Sequence, residues 1–248
     1  MAVHRRGTIV FDDLGHTVKE IEFLADPTVG EVRIASIEAL NSTLLPAVLD
    51  RLSRKFPRLM FDVLSIPPTP PEHLEVLHER RVDLAVTYLA PPFEHEDLTA
   101  EFLYSEAMMV AAAPDSKWAR RRKIELAELV DEPWCLPRKD SLVAPLIARA
   151  FRERGLAPPQ NFVSTDSVQL RMALAAAGRA LFFASSFFAS RSRLRLSGTH
   201  LVLKAVPVDL HIPLGSVGIV TLKNRTINPA AELFIECARQ LAKQLAEI

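Results

Sequence analysis

Between residues 31 and 88 the hydrophobic period switches back and forth between strand and helix, and few folds accommodate that. Glu31–Ser36 reads as a strand. Leu44–Phe56 reads as a helix, with Leu45, Val48, Leu49, Leu52 and Phe56 on one face and Pro57 ending it. Leu59–Ile66 is a second strand, Pro71–Arg81 a second helix, and Val82–Tyr88 a third strand. Strand–helix–strand–helix–strand is the pattern of a parallel sheet covered by helices, with right-handed crossovers. The expected fold class is therefore α/β.

The alternation recurs further along. Two apolar strands are expected near Leu98–Tyr104 and Ala107–Ala113. After Pro114 comes a basic run, Lys117–Lys123, then a short helix at Ile124–Leu129 and a short strand at Trp134–Leu136. Leu142–Arg154 is a helix closed by Gly155, and Asn161–Ser164 is a strand. Asp166–Ala177 is a helix with Asp166 as N-cap and Gln169 three residues on, ended by Gly178. Ala180–Ser185 is a buried strand, Leu201–Val208 and Ser216–Leu222 are strands, and Pro229–Ala246 is a closing amphipathic helix. Two α/β subdomains follow: subdomain I at 28–113 plus 207–248, and subdomain II at 114–206. A linker or dimerisation helix over 1–27 precedes them.

That first helix, residues 9–25, carries Val10, Leu14, Val18, Ile21 and Leu24 at spacings of four, four, three and three. So narrow an apolar stripe suits pairing with a second copy of the helix, or docking on its own domain. Residues 1–26 hold three Lys/Arg and five Asp/Glu, the wrong sign for a DNA-contacting arm. Over the whole chain 30 basic residues balance 30 acidic ones, which leaves no electrostatic footprint for nucleic acid. No apolar run approaches the roughly 20 residues that span a bilayer, and Asp12 and Asp13 interrupt any secretory core. A cytoplasmic location is expected. Cys135 and Cys237 match no ligand spacing and read as thiols of a reducing compartment, with one disulfide as the alternative.

Catalytic constellations are hard to find. None of the eight glycines forms a dinucleotide or phosphate loop, and Gly215-Ser216-Val217-Gly218 is not a nucleophile elbow. His73 and His78 are five apart and do not share a helix face, and Glu94-His95-Glu96-Asp97 reads as a solvated loop. The basic segments Lys117–Lys123, Arg149–Arg154 and Arg191–Arg195 read as solvent-facing. A non-enzyme without cofactor or metal is expected. What remains are strand-to-helix turns rich in hydrogen-bonding groups. In open parallel sheets ligands bind beyond the carboxyl ends of strands, beside helix N-termini. The candidates are Ser36–Thr43 after the first strand, Thr69 after the second, and Ser164–Ser167 at the Asp166 helix. Each hydroxyl there could equally be a helix cap.

Several segments resemble a known family. Val18–Leu24 followed by Asp26–Ile34 is similar to the junction of linker helix and effector domain in LysR-type transcriptional regulators. The Gly-x-Leu/Val-Arg-Ile-Gly/Ala first strand matches at Gly30–Ala35, and Leu-Leu-Pro at Leu44-Leu45-Pro46. Phe-Pro-x-Leu/Val matches at Phe56–Leu59, and Arg-x-Asp-Leu-Ala at Arg81–Ala85. The resemblance runs from about residue 10 to the end, and its strength lies in the order and spacing of the motifs. It implies a type 2 periplasmic-binding-protein fold with a ligand cleft, dimerisation through the Val10, Leu14, Val18, Ile21 and Leu24 stripe, and a small-molecule effector. A carboxylate or aromatic compound is the candidate class. The ligand-binding positions it implies are Ser36, Ile37, Ala39, Thr69, Thr165 and Ser167.

Two departures qualify the resemblance. About ten residues stand before the linker helix, so the helix-turn-helix expected there is absent and the chain itself is expected to make no DNA contact. The effector turn is poor in hydroxyls: Ile37, Glu38, Ala39 and Leu40 follow Ser36, and Thr69 is set among prolines. A transport solute-binding protein on the same fold is the first alternative, but no export signal supports it. An enzyme on that fold and a non-functional gene remnant are the others.

Overall fold

A computed structural model describes residues 14–15, 17–18, 21, 26, 29–67, 72–89, 92–141, 143–186, 194–195, 202–210 and 212–246. The chain divides into two compact units: Met1–Tyr104 with Ser216–Glu247, and Ser105–Gly215 with Ile248. Among the described residues no helix is long and apolar enough to cross a membrane.

In the first unit, β1 (Val29–Ile37) lies between β2 (Arg58–Ile66) and β3 (Leu84–Leu89), parallel to both. The last four residues of β1 are buried, as befits a central strand covered on both faces. The crossover to β2 contains a four-residue helix, α1 (Glu38–Asn41), then α2 (Leu44–Lys55). The apolar stripe expected on Leu44–Phe56 points inward through Leu45, Val48 and Leu52. The crossover to β3 contains α3 (Glu72–His78). Strand β10 (Ile212–Leu222) pairs antiparallel with β3 through Ser216–Val220. The closing helix α6 (Pro229–Ala246) packs on α2. Its start is fixed by Asn228, whose Oδ1 accepts from Ala230 N at 2.8 Å and Ala231 N at 3.2 Å while its Nδ2 donates to Glu31 O at 2.8 Å.

An ion-pair knot ties β1, β3 and the turn after β10 together. Asp83, just before β3, accepts from Arg33 Nη2 at 2.7 Å and from Arg225 Nη2 at 3.1 Å. The Asp83 and Arg225 side chains are 2% and 4% exposed, so both charges are withdrawn from water.

In the second unit β5 (Trp134–Leu136) lies between β6 (Asn161–Ser164) and β7 (Leu181–Ser185), parallel to both. Its crossover helices are α4 (Ala144–Arg152) and α5 (Val168–Ala176). β4 (Leu98–Ala112) pairs antiparallel with β7 through Met108–Ala111, and with β9 (Val202–Ala205), which in turn pairs with β8 (Leu194–Arg195). The core is built on Trp134, which stacks on Phe183 at 4.7 Å, meets Phe151 edge-on at 6.1 Å, and donates its ring N–H to Leu129 O at 2.8 Å.

Several expectations need correction. The strands expected at 98–104 and 107–113 are one 15-residue strand. Ser105-Glu106 does not break it, because Glu106 is buried and accepts a hydrogen bond from Ser185 Oγ on β7. The helix expected at Ile124–Leu129 is a 3-10 turn over Leu126–Leu129, and Ile124 forms a bridge to Val208. Of the strand expected at 201–208, the described residues form one over Val202–Ala205, while β10 begins four residues earlier than expected. Within the basic run Trp118 and Ala119 are buried, and Lys117, Arg121 and Lys123 pair with Glu132, Glu128 and Glu125. Cys135 and Cys237 are both free and buried.

Candidate functional site

The candidate positions fall on two strand-end turns, one in each unit. In the first unit Ser36 and Ile37 finish β1 and Ala39 lies in α1, so these three are brought together at the carboxyl ends of the parallel strands. Ser36 lies in register between Ser65 of β2 and Val86 of β3 and is fully buried. Its hydroxyl has no hydrogen-bond partner among the described residues, and neither does the buried Oδ1 of Asn41. Asn41 Nδ2 donates to Ser65 Oγ at 3.1 Å. A buried hydroxyl and a buried amide oxygen thus stand five residues apart in one turn with free hydrogen-bonding capacity, an arrangement proteins seldom tolerate without a reason.

Other hydroxyls of this turn are spent locally. Ser42 Oγ donates to Glu38 O at 3.1 Å and Thr43 Oγ1 to Ala39 O at 2.9 Å, which tightens α1 against the start of α2. Ile37 is buried and Ala39 half-buried, giving the turn an apolar flank. Thr69 lies outside the described residues.

In the second unit Thr165 and Ser167 follow β6 and open α5. The helix cap is Ser167, whose Oγ accepts from Leu170 N at 3.3 Å; Asp166, expected in that role, is not the cap. Asp166 instead turns to the loop after β5, where its carboxylate accepts from Arg138 N at 3.4 Å and faces Arg138 Nε at 3.5 Å. The guanidinium takes the carboxylate that the capping pattern had reserved for the helix, and the neighbouring hydroxyl fills the gap. Thr165 Oγ1 accepts from Ser167 N at 3.2 Å, and Thr165 N donates to Leu136 O at 3.0 Å. Both side chains are half-exposed.

Arg138, in the loop after β5, is the cation that both Asp140 and Asp166 face, and the sequence reading missed it. It is exposed, and Asp140 holds its charged form most strongly, through hydrogen bonds at 3.0 and 2.9 Å, with a further push from the charge on Asp166. Asp140 is held below its ordinary range by the same contact. The signal available in the sequence was Pro137-Arg138 directly after a three-residue strand, the place where a parallel sheet presents loop side chains.

Among the described residues no three His, Cys, Asp or Glu side chains are placed to hold a metal ion. Burial pushes the Cys135 and Cys237 thiols up, which is the opposite of what an activated nucleophile needs.

Comparison with known proteins places these turns in context. Residues 25–243 match the family model described as LysR substrate binding domain. Transcriptional dual regulator GltC of Bacillus subtilis is 24% identical over 239 residues, covering 94% of this chain and 75% of that protein. The regulatory domain of Synechocystis CcmR, solved with 2-PG, superposes with a TM-score of 0.62 at 16% identity over 86% of this chain and 98% of that one. The BenM effector binding domain with its effector benzoate superposes with a TM-score of 0.61 at 20% identity over 88% and 95%.

Proposed function

The chain belongs to the LysR substrate binding domain family, and from that premise we propose that it senses a small-molecule effector on behalf of a transcriptional regulator. The effector-contacting elements are the two strand-end turns: Ser36, Ile37 and Ala39 in the first unit, and Thr165 and Ser167 in the second. The observation that carries this reading is the Ser36 hydroxyl, fully buried at the carboxyl end of β1 and without a partner among the described residues. A group in that state is costly unless something else hydrogen-bonds to it. A carboxylate or carbonyl oxygen of an effector would accept from it, and the apolar Ile37 and Ala39 would line the effector's body. Benzoate and 2-PG, bound by the BenM and CcmR domains, are both carboxylates or carry acidic oxygens, which supports the same class here.

The mechanism is a population shift. An effector changes transcription only by binding one arrangement of the regulator better than another. Assembly is assigned to the N-terminal stripe: Leu14, Val18 and Ile21 are helical and 58%, 54% and 62% exposed, while Val10 and Leu24 lie outside the described residues. Exposed apolar side chains at helical spacing favour a partner helix. The two units correspond to the two regulatory subdomains, the chain works in the cytoplasm, and no catalytic step takes place.

A thermal-shift screen of aromatic acids and small carboxylates tests the sensor reading. A ligand at 100 times its dissociation constant adds about 2.7 kcal/mol. Ser36→Ala removes an unsatisfied hydroxyl, so it leaves the unliganded melting temperature unchanged or slightly higher while abolishing the response. A response that survives Ser36→Ala would refute the role given to this residue. A specific, salt-resistant gel shift by this chain would refute the assignment of sensing alone.

A further inference from the structure

The second unit holds a cavity of about 730 Å³ on the flank of α4, and it shares no lining residue with the turn that carries Thr165 and Ser167. We propose that this cavity is a separate binding site for a flat organic anion, an aromatic monocarboxylate in particular.

Three observations lead there. The first is the wall. Pro145, Ile147 and Ala148 of α4 face Pro158 and Pro159 of the segment that leads into β6. Proline rings are rigid and carry no N–H, so this surface is preshaped, apolar and poor in backbone donors. The volume is that of an ordinary small-molecule site.

The second is the charge. Lys139 and Arg152 line the cavity, and no acidic side chain does. The cations of the same neighbourhood that lie outside the lining are already engaged. Arg138 pairs with Asp140 and Asp166, Arg149 with Glu153, and Arg154 donates to Ala150 O and Asp209 O. Asp140 and Glu153 are thereby committed elsewhere. The side chains of Lys139 and Arg152 make no hydrogen bond or ion pair among the described residues. The two cations left without an acceptor are the two that line the cavity.

The third is the division of polarity. Gln160 adds a neutral polar group to the lining, and the rest of it is apolar. A ligand needs one charged end for Lys139 and Arg152 and an apolar body for the proline wall. A planar guanidinium favours a carboxylate, which it can grip with two parallel hydrogen bonds. Inorganic anions would leave the wall empty, and apolar neutral molecules would leave both cations without acceptors.

Isothermal titration of the whole chain with 1-naphthoate at neutral pH tests this, with 1-naphthylmethylammonium as the control of matched body and opposite charge. Naphthoate is expected to bind and the ammonium is not. Lys139→Gln/Arg152→Gln, two exposed positions whose change leaves the fold intact, is expected to weaken naphthoate by roughly tenfold or more. Ala148→Trp fills the cavity and is expected to abolish binding; if that variant fails to fold, the charge variant decides alone. Any naphthoate bound at the strand-end turns is a second component, and Thr165→Val is expected to leave intact the component that the charge variant removes. Absence of naphthoate binding, equal binding of the ammonium, indifference to the charge variant, or loss in Thr165→Val of the component that the charge variant removes would each overturn the proposal.

Discussion

Replacing Asp83 by alanine isolates the largest electrostatic commitment of the first unit. The carboxylate accepts at Oδ2 from Arg33 N at 2.9 Å and Nε at 3.4 Å, and at Oδ1 from Arg33 Nη2 at 2.7 Å and Arg225 Nη2 at 3.1 Å. Arg33 is partly exposed and can turn to water, but Arg225 is 4% exposed and keeps its charge in place. Its Nη1 also donates to Val82 O at 2.6 Å, a neutral acceptor that does not cancel the charge. Removing one partner of a buried pair costs about 3–5 kcal/mol, because the other charge stays behind uncompensated. Domain stabilities are about 5–15 kcal/mol, so the loss is a large fraction of the total. For a chain of this size it lowers the melting temperature by about 6–20 °C. Urea unfolding followed by circular dichroism reads the loss as a fall in midpoint at constant slope. The double variant Asp83→Ala/Arg225→Met removes both charges and is expected to be more stable than Asp83→Ala alone, since a buried guanidinium deprived of the Asp83 carboxylate accounts for most of the cost. A loss below about 1 kcal/mol in the single variant, or strict additivity in the pair, would refute the reasoning.

Three further outcomes are expected. Arg80 sits at φ 56° in the Schellman turn that ends α3, where Arg80 N donates to Leu77 O and Arg81 N to Val76 O; Arg80→Gly stabilises by about 1 kcal/mol in the same urea assay. Gly218→Ala places a methyl 2.6 Å from the carbonyl oxygen of Glu101 and against Leu89 Cδ1; the backbone oxygen has little room to retreat, so about 1–3 kcal/mol is lost, read in the thermal midpoint. Glu128 is held below its ordinary carboxylate range, first by the Arg121 side chain and then by Glu125 N; its contribution to stability is present above pH 4.5 and lost as pH falls through the depressed folded value, so Glu128→Gln flattens the acid side of a urea-midpoint profile between pH 3 and 6.

How much of this was legible follows from how local each determinant is. The helix ends at Gly155 and Gly178 were readable because both glycines adopt positive φ in turns closed by neighbouring residues. Arg80 closes an identical turn without a glycine to announce it. The strand Trp134–Leu136 and the helix Pro229–Ala246 match their expected bounds because apolar period and flanking residues agree. The 15-residue β4 was not readable, since the buried Glu106 in its interior is accommodated with the help of Ser185, 79 residues on, which donates to it. The cap of α5 failed for a related reason: Asp166 had the better local claim, and Arg138 from another loop removed it.

The motifs that prompted the family resemblance show the reverse case, where a local pattern is the trace of a distant contact. Arg33 belongs to the Gly30–Ala35 pattern and Asp83 to the Arg81–Ala85 pattern, and they are fifty residues apart. In the folded chain they are one ion pair, reinforced by Asp83 N donating to Arg33 O at 2.7 Å, and together they lock the start of β3 against β1. That lock holds β1 and β3 in the register that puts Ser36 opposite Val86. The two patterns are therefore one device seen twice, and the sequence could display its halves without their connection. The turn hydroxyls carried no comparable mark. Ser36 differs from Ser42 and Thr43 only in having no backbone carbonyl to bond, and burial and geometry decide that, not residue type.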